Sequence, residues 1–192
     1  MNTNKIIQSL VYLASKEKNS VLDNMKAYKL LWLADRLHLR LHGRTITGDC
    51  YYALPYGPVP SDAKHILENT PTHLYNDANY QAKYITIMDG HSFSPASEPD
   101  LKELSESDME VLDRVWQSYG KMKPWQLSRM SHTYPEWLAY KDKLEGTDIP
   151  KACPIDLELF FEDAGSDNKG LFVDTPELIA LTKELYLQHH RI

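Results

Sequence analysis

Lys29-Leu30-Leu31-Trp32-Leu33-Ala34-Asp35, then Gly43, then Thr47-Gly48-Asp49, then Tyr56-Gly57-Pro58-Val59-Pro60, is the run that decides the reading of this 192-residue chain. From about Asn24 to His42, Leu30, Leu33, Ala34, Leu37 and Leu41 recur on one helical stripe, and Gly43 stands where a left-handed residue stops a helix. After it, Cys50-Tyr51-Tyr52-Ala53-Leu54 reads as a short strand bounded by Gly48-Asp49 and Pro55. Pro58 and Pro60 lack the N–H that a ladder uses, so regular pairing is not expected there. Ser61 is positioned to cap a third helix reaching about Asn69, and Thr70 to Asn79 reads as polar loop.

Working outward, Ile6, Leu10, Leu13 and Ala14 at helical spacing predict a first helix after Thr3 and Asn4. Ile85-Thr86-Ile87-Met88 alternates and meets Asp89-Gly90, the signal for a two-residue type I′ hairpin, before His91-Ser92-Phe93. Ser94 to Leu104 reads as a connector, and Ser107-x-x-Glu110 matches a capping box ahead of Val111, Leu112, Val115, Trp116 and Tyr119. Pro124 and Pro135 each open a short helix. Leu157, Leu159, Phe160 and Phe161 form an apolar cluster, Asp163 to Gly170 a polar loop, and Thr175-Pro176-Glu177 starts a last helix running to about Arg191. The predicted class is mainly α with a small antiparallel β-sheet, an α+β arrangement in which a compact helical domain carries a hairpin. Residues 1–150 are expected to form the main domain. Residues 151–192 form a C-terminal extension ending in a helix, expected either to pack on the same core or to supply partner specificity.

At this length and 42% hydrophobic content, one core is the economical solution. A formal charge of -6 argues against broad binding to nucleic acid or anionic membrane, both of which need clustered Lys and Arg. No apolar run approaches the ~20 residues of a membrane span, and the start of the chain is amphipathic, so a cytoplasmic protein is expected. Cys50 and Cys153 fit no CxxC spacing and read as reduced thiols.

Three groups carry candidate chemistry. Asp35, His38 and His42 share one helix face, the partial pattern of a metal-dependent hydrolase, but His-Glu-x-x-His is missing and a partner-facing or solvated edge is the simpler reading. His132, near Tyr134 and Trp137, has no nucleophile placed beside it by a motif and reads as a hydrogen-bonding residue between helices. Asp163, Asp167 and Asn168 lack the spacing and terminal Glu of a calcium loop, and His189-His190 reads as a helix-end pair. No metal or other cofactor is assigned, and no catalytic residue. Tyr56-Gly57-Pro58-Val59-Pro60 has neither the glycine spacing nor the Lys of a phosphate loop; it is either a structural corner or a preorganised recognition surface, with Tyr51, Tyr52 and Tyr56 as aromatic anchors.

Taken in order, the helix Lys29 to Asp35, the stretch Gly43-Arg44-Thr45-Ile46-Thr47-Gly48-Asp49, Tyr52-Ala53 and Tyr56-Gly57-Pro58-Val59 resemble the Panacea domain, the SocA-like antitoxin family also called the phage-associated GepA-like family. A second block, Leu104 to Asp108, Leu127-Ser128, His132 and Trp137, resembles the downstream half, so the likeness runs from about residue 3 to 145. The resemblance implies a noncatalytic antitoxin of a bacterial or prophage toxin-antitoxin pair, binding a protein toxin encoded nearby. Since at least one relative presents its toxin to a Clp-type protease, such a protease is a second partner the family admits. Gly48, Asp49, Tyr56, Gly57, Pro58, His132 and Trp137 carry over as motif positions. Asp35, His38, Tyr52, Tyr56, Gly57 and Pro58 are the candidate partner-binding residues. A phage-associated interaction protein without a toxin is the alternative of the same fold.

Overall fold

The computed structural model describes residues 3–70, 78–146, 152–165 and 170–190. Its axis is α2 (Asn24–His42), opened by Asp23, whose side chain accepts from Lys26 N at 2.9 Å, and closed by Gly43 at φ 67, whose N–H donates to Leu39 O. The expected single stripe understates this helix: α2 is buried on every side, by α1 (Thr3–Ser15), α5 (Glu106–Tyr119), α6 (Pro124–Ser131), α9 (Pro176–His190) and β3 (Gly57–Pro60). Its polar face is enclosed because Lys29, Asp35, Arg36, His38 and Arg40 find partners inside the protein rather than in water.

Two small antiparallel sheets flank it. One has the order β1 (Leu22–Asp23), β5 (Ser92–Pro95), β4 (Ile85–Ile87); the other β3, β2 (Tyr51–Leu54), β6 (Cys153–Pro154). Contrary to the expectation, Pro58 and Pro60 lie in a paired strand, opposite Ala53 and Tyr51. The reason is register. β3 is an edge strand, and Ser61 N donates to Cys50 O at 2.8 Å, so the donors facing β2 fall on the odd-numbered residues while both prolines turn their missing donors away. The β4–β5 hairpin forms, but Met88 N donates to Ser92 O, leaving Asp89-Gly90-His91 as a three-residue loop instead of a type I′ pair. Asp89 Oδ1 holds that loop by accepting from His91 N and Ser92 Oγ, both at 3.0 Å.

Two helix starts differ from the sequence reading. α3 (Ser61–Leu67) is capped from a distance by Asp49, which accepts from Asp62 N and Ala63 N at 2.9 Å, and not by Ser61. α5 begins two residues early, with a capping box made by Ser105 and Asp108 in place of Ser107 and Glu110. A short helix, α4 (Ala78–Tyr84), stands where part of the loop was expected; residues 71–77, most of that loop, lie outside the described residues. α6 and α7 (Pro135–Leu138) start at their prolines as predicted, and α8 (Lys141–Glu145) follows.

The C-terminal part packs on α2. Arg40, fully buried, donates to Phe161 O at 2.7 Å, to Asp174 Oδ2 at 2.8 Å and to Asp163 Oδ1 at 2.7 Å, and Arg36 donates to Glu162 O. Phe160 and Phe161 are buried on the turn Leu157–Phe161, and Thr182 of α9 donates to Arg40 O at 2.9 Å. Gly43 is required there twice, for its positive φ and because a Cβ would lie 2.9 Å from Thr182 O. Asp167, Asn168 and Arg191 lie outside the described residues. Cys50 and Cys153 are free thiols, and among the described residues no helix is long and apolar enough to cross a membrane.

Candidate functional site

Pro55 and Tyr56 form the turn between β2 and β3, and Gly57 follows at φ 99, a conformation that a residue with a Cβ adopts only under strain. The carbonyls of this turn are held from outside. Trp137 Nε1 donates to Leu54 O at 2.9 Å, His132 to Pro55 O, Ser128 Oγ to Tyr56 O at 2.9 Å, and Lys29 Nζ to Pro58 O at 2.7 Å. These donors come from α2, α6, α7 and the residue closing α6. The His132 ring also stacks on Trp137, with centroids 3.9 Å apart and planes 12° apart. A Cβ on Gly57 would lie 2.0 Å from Ser131 Oγ and 2.9 Å from Lys29 Nζ, so the glycine is also a packing requirement. The Tyr56 side chain, 69% exposed, stands at the apex. A rigid backbone carrying an exposed aromatic loses little conformational freedom when it docks.

Burial pushes the Lys29 ammonium down to about 7, with Pro58 O as its hydrogen-bond acceptor among the described residues. His132 is lowered by the same cause and by the neighbouring Lys29 charge. Beside the turn opens a cavity of about 570 Å³ lined by Met25, Tyr28, Lys29, Pro55, Tyr56 and Val59 and bordered by the Lys64–Glu68 ion pair. The Tyr28 hydroxyl is buried with no partner among the described residues.

The Gly48-Asp49 motif lies at the other end of β2. Gly48 takes φ 68 and donates to Thr45 Oγ1 at 3.0 Å, and Asp49 caps the start of α3; burial pushes the Asp49 carboxyl up to about 7 against the two amide donors that favour its ionised form. Tyr52 lines a separate cavity of about 530 Å³ there, with Arg44, Gly48, Asp49, Ile155 and Tyr186. Tyr52 therefore does not join Tyr56 at the apex.

The His38 and His42 rings pack against each other, with centroids 4.4 Å apart, but Asp35 does not join them. Asp35 accepts from Ile46 N at 2.8 Å, Thr47 N at 3.1 Å, Thr47 Oγ1 and Tyr51 OH at 2.8 Å, which pins the loop after α2; burial pushes its carboxyl up. His38 Nδ1 faces Arg44 O at 2.8 Å, and its Nε2 faces Asp108 Oδ1 at 3.1 Å. Asp108 also takes Lys5 at 2.5 Å and Arg44 at 3.1 Å; burial works to raise it, and hydrogen bonds from His38, Lys5 and Ser105 outweigh that and hold it well below the usual carboxylate range. Asp35 and His38 are fully buried and present no atoms to a partner in this conformation. Among the described residues, no three His, Cys, Asp or Glu side chains are grouped to hold a metal.

Of the sequence-predicted positions, Tyr56, Gly57, Pro58, His132 and Trp137 meet at one corner, while Asp35, His38, Gly48, Asp49 and Tyr52 lie elsewhere. Lys29, Ser128 and Ser131 complete the corner; the first two stand in the family-like blocks of the sequence, but none of the three is a candidate site residue from sequence alone. Lys29 left a signal: it is a charged residue in register, four residues apart, with Leu33, Leu37 and Leu41. A model of the antitoxin SocA-like, Panacea domain family matches residues 28–138, a span that contains every donor and acceptor of the clamped turn. No curated protein and no solved structure matches the chain. The match covers more than half of the sequence, and the chain belongs to the SocA-like antitoxin family of Panacea domains.

Proposed function

We propose that this protein neutralises a protein toxin encoded beside it by direct contact, and that the Tyr56 corner forms part of the contact. The observation that carries the reading is an exposed aromatic on a backbone whose carbonyls are held by Lys29, Ser128, His132 and Trp137. Nothing in such an arrangement requires chemistry on a substrate; its value is a fixed shape, which serves a complementary surface of roughly 800 Å² per partner. Within this reading, Gly57 and Pro58 set the corner's conformation. Asp35 and His38 act from inside, holding the loop from Arg44 to Asp49 in place, and Asp49 fixes the start of α3. Neutralisation proceeds either by covering the toxin's active surface or by delivering it to a Clp-type protease, the second being a use of the same contact.

The test is inducible expression of each adjacent open reading frame, with and without this protein, scoring growth and co-purification. A neighbour that stops growth, is silenced by this protein and elutes with it in a stable complex supports the proposal. If no neighbour is toxic, or if rescue occurs without a complex, the proposal is wrong.

A further inference from the structure

One stretch of the chain departs from its overall acidity. Residues 120–145 carry Lys121, Lys123, Arg129, Lys141 and Lys143 against Glu136, Asp142 and Glu145, the last 3.9 Å from Lys141, in a chain of net charge -6. Glu136 does not offset them at the surface, because it is buried and bound by Arg36 Nε at 3.0 Å and Trp32 Nε1 at 2.9 Å. Lys121, Lys123 and Arg129 are exposed, and none has a carboxylate partner among the described residues.

Among these cations stands Trp125, 58% exposed, one turn before Arg129 on α6. Trp125 is also one turn before Ser128, whose hydroxyl holds Tyr56 O. Residues three and four apart share a helix face, so Trp125 belongs to the face that clamps the corner. An indole left in water beside unpaired cations is the composition of an interface centre, where Trp, Tyr and Arg dominate the binding energy.

We infer that this basic aromatic face is where the partner docks, and that the partner presents an acidic segment carrying an apolar side chain. The apolar side chain covers Trp125 and Tyr56, and the carboxylates pair with Lys121, Lys123 and Arg129. Charge complementarity across such a face sets the encounter rate and the choice of partner more than the depth of binding. The inference rests on the toxin-binding reading and adds to it the chemistry of the surface the toxin must offer.

The experiment measures the affinity of the purified protein for the co-purifying toxin at low and high salt. It compares wild type, Trp125→Ala, the triple reversal Lys121→Glu/Lys123→Glu/Arg129→Glu, and a control reversal of the exposed Lys18→Glu/Lys102→Glu, each checked for folding by circular dichroism. The inference expects wild-type binding that weakens with salt, a loss of at least tenfold for Trp125→Ala and about a hundredfold for the triple reversal, and the control unchanged. Wild-type binding that survives both Trp125→Ala and the triple reversal overturns the docking face and leaves the antitoxin reading standing. No neighbour bound by wild type overturns the antitoxin reading itself, and the inference with it. A single-stranded oligonucleotide that binds wild type, and loses binding with the triple reversal while the toxin does not, overturns the acidic segment in favour of nucleic acid.

Discussion

Replacing Gly57 by Ala tests the clamped corner where it is tightest. Two costs add. Holding an L-residue at φ 99 costs ~1–3 kcal/mol. Placing a Cβ 2.0 Å from Ser131 Oγ and 2.9 Å from Lys29 Nζ forces α6 or α2 to give way, at ~1–3 kcal/mol for overpacking. Gly57→Ala is therefore expected to destabilise the protein by roughly 2–6 kcal/mol. Gly90, at φ 80 in the β4–β5 loop, separates the two contributions, because nothing lies within 4 Å of its missing Cβ and Gly90→Ala carries only the first. A second control removes the clashing atom. Ser131→Ala alone forfeits the hydrogen bond to Ser128 O, about 1 kcal/mol, yet in the Gly57→Ala background it relieves the worst contact, so the double variant is expected to be less destabilised than the sum of the singles by about 1–2 kcal/mol. Urea unfolding followed by far-ultraviolet circular dichroism reads all four proteins, and at slopes of about 1–3 kcal/mol per molar the Gly57→Ala midpoint falls by about a molar or more. Equal losses at Gly57 and Gly90, with no compensation from Ser131→Ala, would refute the packing argument.

Lys29 makes stability depend on pH in a defined direction. Its folded pKa of about 7 lies below the ordinary 10.5, so its contribution is complete above pH 10.5 and is lost as pH falls to 7; the stability difference between wild type and Lys29→Met should therefore shift by up to about 5 kcal/mol over that window, and a flat difference contradicts a buried, depressed ammonium. Arg40→Ala strips the partners from Asp174 and from the Phe161 carbonyl and is expected to cost about 3–5 kcal/mol, with faster amide exchange in α9; an unchanged unfolding midpoint contradicts the tie between α2 and the C-terminal segment. Tyr56→Ala should leave stability within about 0.5 kcal/mol while weakening the toxin complex by at least ~2 kcal/mol, about thirtyfold, read by titration calorimetry; a large stability loss would instead make Tyr56 a structural residue.

What the sequence made legible follows the range of each interaction. α2 is readable because its signals are local, Gly43 after it and the leucines within it; the cap by Asp23 is an equally local signal, absent from the sequence-based expectation. The two capping boxes at the start of α5 overlap in sequence, Ser105 with Asp108 and Ser107 with Glu110. What selects the first is the contact of Asp108 with Lys5, His38 and Arg44, none of them local to α5. α4 leaves no clear signal in the sequence for a similar reason. It is short, and it is fixed by Gln81 Nε2 donating to Ile66 O at 2.8 Å and Gln8 Nε2 to Tyr80 OH at 2.9 Å, contacts that periodicity does not encode. Pro58 and Pro60 look like strand breakers in sequence because a proline's effect on pairing depends on which way its position faces, and that parity is set by β2. The corner shows the same division. Its turn residues were visible together, whereas Ser128 and Trp137 reach it from 72 and 83 residues away. Asp35 and His38 were drawn to the partner surface by their spacing on one helix face. That face is interior, because the loop from Arg44 to Asp49 and the start of α5 close over it.

The most direct test of the account is hydrogen exchange by mass spectrometry on this protein alone and in complex with the toxin proposed as its partner. The account predicts slowed exchange, on binding, across the β2–β3 turn around Tyr56 and along α6 from Pro124 to Ser131, with α1 unaffected. Protection confined to α1 or α9, with the Tyr56 turn and α6 exchanging as in the free protein, would contradict the assignment of the clamped corner as the toxin-binding surface.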